Sequence, residues 1–184
     1  MSDISERYSK VAADFTRRVD VVPADAWGNA SPCEGWDARD VVRHLVEWMP
    51  AFLLGNWDVA VPPIPSVDDD PVGAWAALRD ALRAALDDPA IAATERDTPM
   101  GRVTFEQAFA MAGTTDNLVH TWDLARAAGL DDKLDPDEVH RLVEAIGQFD
   151  DTRMRTSGHY GPRIEVADDA DEQTQPLGFM GRHP

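Results

Sequence analysis

The stretch "TTDNLVHTWDLARAAG" (residues 114–129) decides the fold class and raises the central question of function. Its apolar residues have helical spacing, and Gly129 is a good residue for the left-handed position just past a helix end. At about 100° per residue, Asp116 and His120 continue the apolar stripe that contains Phe109, so both side chains are predicted to point inward. Burying a carboxylate costs several kcal/mol unless a cation, a metal or several hydrogen bonds compensate it. The buried pair therefore needs a chemical explanation.

The rest of the chain also shows helical periodicity, with capping residues before several segments and Pro or Gly between them. The predicted helices cover residues 3–20, 37–54, 71–87, 105–128 and 136–154. Residues 94–105 predict a short hairpin or an extended crossover, and residues 164–166 predict a short strand. The pattern predicts an all-α protein, a four-helix bundle with an extra helix and an irregular C-terminal tail, as one domain over residues 1–184.

Composition and charge limit the classes of partner. The 184 residues include 34 acidic and 17 basic side chains, a formal net charge of -17 that repels phosphate backbones and anionic lipid. Neither a nucleic-acid partner nor a membrane is expected. The single cysteine, Cys33, has no intramolecular partner for a disulfide, and no secretion signal or apolar span is evident, so a cytoplasmic location is expected. The sequence leaves open whether the chain forms a homodimer.

The spacing of Asp116 and His120 suits a metal ion. Side chains at i and i+4 on a helix lie about 5 to 6 Å apart at Cβ, close enough for both heads to bind one ion. His44 lies at the margin of the apolar stripe of the helix over 37–54 and is a third candidate ligand. The simpler alternative is that Asp116 and His120 form a hydrogen-bonded couple, and that His44 is an ordinary boundary histidine. Spacing alone does not choose between these alternatives.

Two further residues have alternative interpretations. Asp123 lies on the same helical arc as Asp116, so it either accepts a hydrogen bond from the His120 imidazole or pairs with Arg126. Cys33 is most simply a small residue in a turn, because a redox role needs a lowered thiol pKa that an acidic neighbour works against. The remaining histidines are weaker candidates for a ligand: His140, His159 and His183.

Several motifs together carry a resemblance to a known family. These are "SPCEGWDARDVVRHLV" (31–46), "DNLVHTWDLARAAG" (116–129) and the terminal "GFMGRHP". The chain resembles actinobacterial DinB-like proteins related to the metal-binding domain of mycothiol-dependent maleylpyruvate isomerase. The resemblance implies a bundle that binds a divalent metal through a histidine of the second helix and an acid and a histidine four apart on a later helix. The matching positions are His44, Asp116 and His120, with Asp116 standing where that enzyme has Glu.

The resemblance also implies a chemistry. Two imidazoles and one carboxylate leave coordination positions open, as in catalytic zinc sites, and the same set suits iron(II) or nickel(II). The expected cofactor is thus zinc, with Ni²⁺ or Fe²⁺ as alternatives, and mycothiol is the expected co-substrate. The leading hypothesis is an enzyme that adds or transfers a low-molecular-weight thiol to a small electrophile. The alternatives are a non-catalytic metal-dependent ligand-binding or stress-response module and a structural domain in which Asp116 and His120 pair. The sequence indicates no general base beyond a metal-bound water, so the catalytic residues are unknown at this point.

Overall fold

The structure is a computed structural model that describes residues 2–98, 101–147, 151–156 and 161–184. It divides into two compact units, Met1–Asp131 and Asp132–Pro184. The assignment of the whole chain to one domain stays a prediction.

Four long helices form a bundle in the first unit, which confirms the predicted all-α fold. Helices α1 and α2 each pack against both α3 and α6. The four helices are α1 (Asp3–Val19), α2 (Ala38–Met49), α3 (Pro71–Asp87) and α6 (Thr114–Ala128). Shorter elements lie between α3 and α6: α4 (Pro89–Ala92), β1 (Glu95–Thr98), β2 (Gly101–Thr104) and α5 (Phe105–Ala108).

The start of α2 is fixed by a reciprocal pair of side-chain hydrogen bonds. The Asp37 carboxylate accepts from the Asp40 backbone N–H at 2.9 Å, and the Asp40 carboxylate accepts from the Asp37 N–H at 3.1 Å. This capping box satisfies two backbone donors that have no partner within the helix. It therefore sets where the first turn of α2 begins, and with it the position of His44 two turns later.

Two π-helical turns flank the site helices. The first, Pro50–Leu54, continues α2 from a proline, and the second, Phe109–Gly113, joins α5 to α6. The two turns approach each other at Gly113, where an added Cβ would meet the Phe109 ring at 3.1 Å and Leu53 Cδ1 at 3.2 Å. A larger residue at position 113 would push these groups apart, so the glycine permits the close approach that leads into α6.

Aromatic rings fill the core between the helices. Phe15 of α1 meets Trp75 of α3 edge to face, with ring centroids 4.6 Å apart, and Tyr8 of α1 meets Phe109 in the same way at 4.6 Å. All four rings are buried. Such pairs each add about 0.5 to 1.5 kcal/mol beyond the burial of their area, so they hold α1 against α3 and against the turn before α6.

Strands β1 and β2 pair antiparallel, with Glu95 opposite Thr104 and Thr98 opposite Gly101. Of the two alternatives that the sequence left open for this segment, the structure has the hairpin. Thr104 then caps α5 by accepting from the Gln107 backbone N–H at 3.2 Å, so the hairpin leads directly into the helical segment that carries the candidate site.

The second unit contains α7 (Pro136–Ile146), α8 (Asp151–Thr156) and α9 (Thr174–Phe179), and α7 packs against α9. The sequence predicted one helix over 136–154, but α7 ends at Ile146 and residues 148–150 lie outside the described part of the chain. The prediction of a strand at residues 164–166 is wrong, because this segment has no regular secondary structure. Ile164 donates one backbone hydrogen bond to the Gly178 carbonyl at 2.9 Å, so its partner is the end of a short helix and not another strand.

None of the described helices in either unit is long and apolar enough to cross a membrane.

Candidate metal centre

The three predicted ligands lie together where α2 packs against α6. His44 comes from α2, and Asp116 and His120 come from successive turns of α6. His44 Nε2 is 3.2 Å from Asp116 Oδ2, and His120 Nε2 is 3.4 Å from Asp116 Oδ1. One donor atom from each residue lies within 4.8 Å of the other two. The helix packing thus brings together residues that are 72 positions apart.

These separations fit the donor set of a divalent ion. Zinc binds imidazole nitrogen and carboxylate oxygen at about 2.0 to 2.2 Å, so neighbouring donors of a tetrahedral site are about 3.4 Å apart. The two nitrogen-to-oxygen distances on Asp116, 3.2 and 3.4 Å, are close to that value. The donor types and their spacing therefore fit a divalent ion.

Asp123 orients the His120 ring. Its Oδ2 is 2.9 Å from His120 Nδ1, and its side chain is 0% exposed. An imidazole that donates Nδ1–H to a carboxylate presents the lone pair of Nε2 on its other side, the usual arrangement of a metal-bound histidine. This contact is the one required by the first interpretation of Asp123. The alternative partner, Arg126, places its guanidinium over the Trp122 ring at 5.5 Å from the centroid.

Cys33 belongs to the same network. Its thiol donates to Asp123 Oδ2, with a sulfur-to-oxygen distance of 3.3 Å. Cys33, His120 and Asp123 form a second group whose donor atoms lie within 4.8 Å of one another. The sequence indicated only a small residue in a turn, because the contact joins positions 90 residues apart and no spacing pattern encodes it.

Two indole rings flank the histidines. Trp36 stacks on His120 at a centroid distance of 5.8 Å and lies 4.9 Å from the His44 ring. Trp48 lies one turn after His44 on α2, and its Nε1–H donates to Asp116 Oδ2 at 2.8 Å. No pattern in the sequence indicated this polar contact, because the two residues are 68 positions apart.

The site is closed on one side and open on the other. The His120 side chain is 6% exposed, whereas the side chains of His44 and Asp116 are each 31% exposed. A ligand that reaches the three donors therefore approaches from the side of His44 and Asp116, past the partly exposed indoles of Trp36 and Trp48.

The charges of Asp116 and His120 shift each other's pKa. Burial acts to raise the pKa of Asp116, but the charge of His120 and hydrogen bonds from both histidines outweigh it and hold the pKa well below its usual range. Burial acts to lower the pKa of His120, but the charge of Asp116 and hydrogen bonds with Asp116, Asp123 and Cys33 raise it well above its usual range. Asp116 and His120 thus each stabilise the charged form of the other.

A four-helix bundle with two imidazoles and one carboxylate facing each other between α2 and α6 defines a DinB-like protein with a candidate metal centre. The chain belongs to the family described as "Mycothiol maleylpyruvate isomerase N-terminal domain", which matches residues 8–125. This finding confirms the resemblance drawn from the sequence motifs. The matched region contains all three candidate ligands, together with Cys33 and Asp123.

Two relatives are uncharacterized proteins of Mycobacterium tuberculosis, one from strain CDC 1551 / Oshkosh and one from strain ATCC 25618 / H37Rv. Each is 33% identical to this chain over 125 residues, which is 67% of this chain and 67% of the relative. No solved structure matches the chain.

Proposed function

We propose that this protein binds one divalent ion, with zinc as the first candidate, through His44, Asp116 and His120, and that it transfers or adds a low-molecular-weight thiol to a small electrophile. The observation that carries the proposal is the convergence of two imidazole nitrogens on one carboxylate, at 3.2 and 3.4 Å. Three protein donors leave a coordination position for a substrate, which is typical of a catalytic and not of a structural zinc site.

Two neighbouring residues, Asp123 and Cys33, orient the His120 ligand through hydrogen bonds. Asp123 holds the Nδ1 proton of His120, so that Nε2 faces Asp116. The thiol of Cys33 donates to the same Asp123 oxygen and so restricts the carboxylate to one orientation. These contacts lie on the closed side of the site, where water has little access, and leave the side of His44 and Asp116 for the substrates.

Thiol chemistry suits such a site, since a bound divalent ion lowers the pKa of a thiol and increases the fraction of the nucleophilic thiolate near neutral pH. The membership of the family named for a mycothiol-dependent isomerase supports mycothiol as the thiol. Trp36 and Trp48 flank the open side and would limit the access of bulk water to the thiol and the electrophile.

Cobalt substitution tests this proposal. Protein loaded with Co²⁺ is titrated with mycothiol, and thiolate ligation is expected to add a charge-transfer absorption. The His120→Ala variant is expected to lose the band, whereas His140→Ala, a change at an exposed histidine of the second unit, is expected to keep it. Activity is then measured with mycothiol and a panel of electrophiles, including maleylpyruvate-like acids and chlorinated aromatics.

The outcomes separate the hypotheses. The band together with turnover supports the proposed enzyme. The band without turnover of any electrophile contradicts transfer and favours the non-catalytic binding module. A spectrum that millimolar thiol leaves unchanged contradicts thiol chemistry at this site.

A further inference from the structure

Trp48 forms a side-chain hydrogen bond with Asp116 that no pattern in the sequence indicated. Its indole N–H donates to Asp116 Oδ2 at 2.8 Å, a shorter distance than the 3.2 Å between the same oxygen and His44 Nε2. Trp and carboxylate come from different helices, 68 residues apart in the chain. An indole nitrogen is a donor only, so this hydrogen bond has one direction and persists whichever protonation state the histidines adopt.

The arrangement uses two pairs of residues at the same spacing. His44 and Trp48 are four apart on α2, and Asp116 and His120 are four apart on α6. Because residues four apart lie on one helix face, both members of the first pair face the second pair across the interface. Asp116 is the common partner: its Oδ2 contacts His44 and Trp48, and its Oδ1 contacts His120.

We infer that Trp48 is a positioning residue for the Asp116 carboxylate. Its N–H occupies one acceptor site of Oδ2 and fixes the rotation of the carboxylate. Oδ1 is thereby kept toward His120 Nε2.

The inference rests on the proposed metal site and adds a residue to it. Carboxylates that bind metals are themselves held by hydrogen bonds, and loss of such a partner costs about 10- to 100-fold in metal affinity. Trp48→Phe removes the N–H while keeping an aromatic ring. We expect it to weaken zinc or cobalt binding by about 10- to 100-fold.

Trp36→Phe is the matched control. It shortens an indole that contacts the same two histidines through its ring, at 4.9 and 5.8 Å, and it leaves the Trp48 hydrogen bond in place. Metal affinity is measured by competition with a chromophoric chelator, and the thermal unfolding of each metal-free variant is measured beside it. If Trp48 is a positioning residue, the metal affinity of Trp48→Phe is well below that of Trp36→Phe. The two metal-free variants are then expected to unfold at similar temperatures.

Each result decides the matter. If the metal affinities of Trp48→Phe and Trp36→Phe fall equally relative to wild type, or if neither falls, the positioning role is overturned and the proposed metal site stands. A wild-type protein that binds no ion overturns both. If Trp48→Phe does not fold, the ¹⁵N-labelled indole N–H of Trp48 in the wild type is followed by NMR during metal titration. Slow solvent exchange and a shift on saturation support the inference, and an N–H that exchanges as fast as that of an exposed indole overturns it.

Discussion

At the scale of single residues, Asp116 holds the centre together. Its two oxygens have different partners: Oδ2 contacts His44 and Trp48, whereas Oδ1 contacts His120. The short Asp side chain reaches both imidazoles because α2 packs against α6. The donor set therefore depends on how these two helices pack, as well as on the spacing of residues within α6.

The buried acid beside His120 gives the first prediction. Asp123→Asn keeps the shape of the side chain but removes the charge that favours the Nδ1–H tautomer of His120. Metal affinity is expected to fall by about 10- to 100-fold. The control is Asp80→Asn, which removes an exposed carboxylate paired with Arg79. Equal affinities of Asp123→Asn and wild type, measured by chelator competition, would show that Asp123 does not orient the ligand.

His140 gives a prediction about pH in the second unit. A hydrogen bond to Glu172 at 2.6 Å, together with the charge of that residue and then of Glu144, raises the pKa of His140 above 6.5. A raised histidine pKa adds stability that is fully present below the unfolded pKa and is lost as pH rises through the folded pKa. The Glu172→Gln substitution is expected to return the pKa of His140 toward 6.5, and NMR titration measures this pKa. Glu144→Gln removes a more distant carboxylate, at 3.7 Å, and is expected to change the pKa of His140 less. Identical titration curves of Glu172→Gln and wild type would refute the pairing of His140 with Glu172.

At the scale of elements, the sequence predicts best what is encoded locally. Helical periodicity and capping residues locate the four long helices, and i,i+4 spacing with the family motifs identifies the three candidate ligands. The π-helical turns at Pro50–Leu54 and Phe109–Gly113 were missed, since each continues a helix and neither has a side-chain cap that would mark it in the sequence. The hydrogen bonds of Trp48 and Cys33 were missed because their partners lie 68 and 90 residues away and depend on how the helices pack.

The cap of α2 gives a prediction at this scale. Asp37→Ala removes one half of the capping box and leaves the Asp40 N–H without its side-chain acceptor. The free energy of unfolding is expected to fall by about 1 kcal/mol, the usual cost of losing an N-cap. Asp25→Ala, at an exposed loop position, is the control and is expected to have little effect in chemical denaturation. A loss for Asp37→Ala no larger than that for Asp25→Ala would mean that packing alone fixes the start of the helix.

At the scale of the whole molecule, charge limits what the protein can bind. The net charge of -17 surrounds the chain with a negative potential, and the candidate centre itself contributes two acids, Asp116 and Asp123. A divalent cation is attracted by such a potential, whereas polyanions are repelled. The family match over residues 8–125, to a domain named for mycothiol maleylpyruvate isomerase, agrees with the small thiol proposed as a ligand.

The same charge predicts that the protein does not bind DNA or RNA at physiological salt. Each phosphate contact needs a local positive charge, and the 34 acidic residues oppose the 17 basic ones. Titration of labelled duplex and single-stranded oligonucleotides is expected to give no saturable binding, even at low salt. Saturable binding that weakens steeply with added salt would contradict this prediction.

The central claim is that His44, Asp116 and His120 together hold one divalent ion, and metal analysis of protein purified without a nickel column tests it most directly. The measurement compares wild type with His44→Ala, Asp116→Ala and His120→Ala, with His140→Ala as the control histidine. About one ion per chain is expected in wild type and in the control, and each ligand variant is expected to lose most of it. Stoichiometric metal in all three ligand variants, or none in the wild type after incubation with zinc, would contradict the claim.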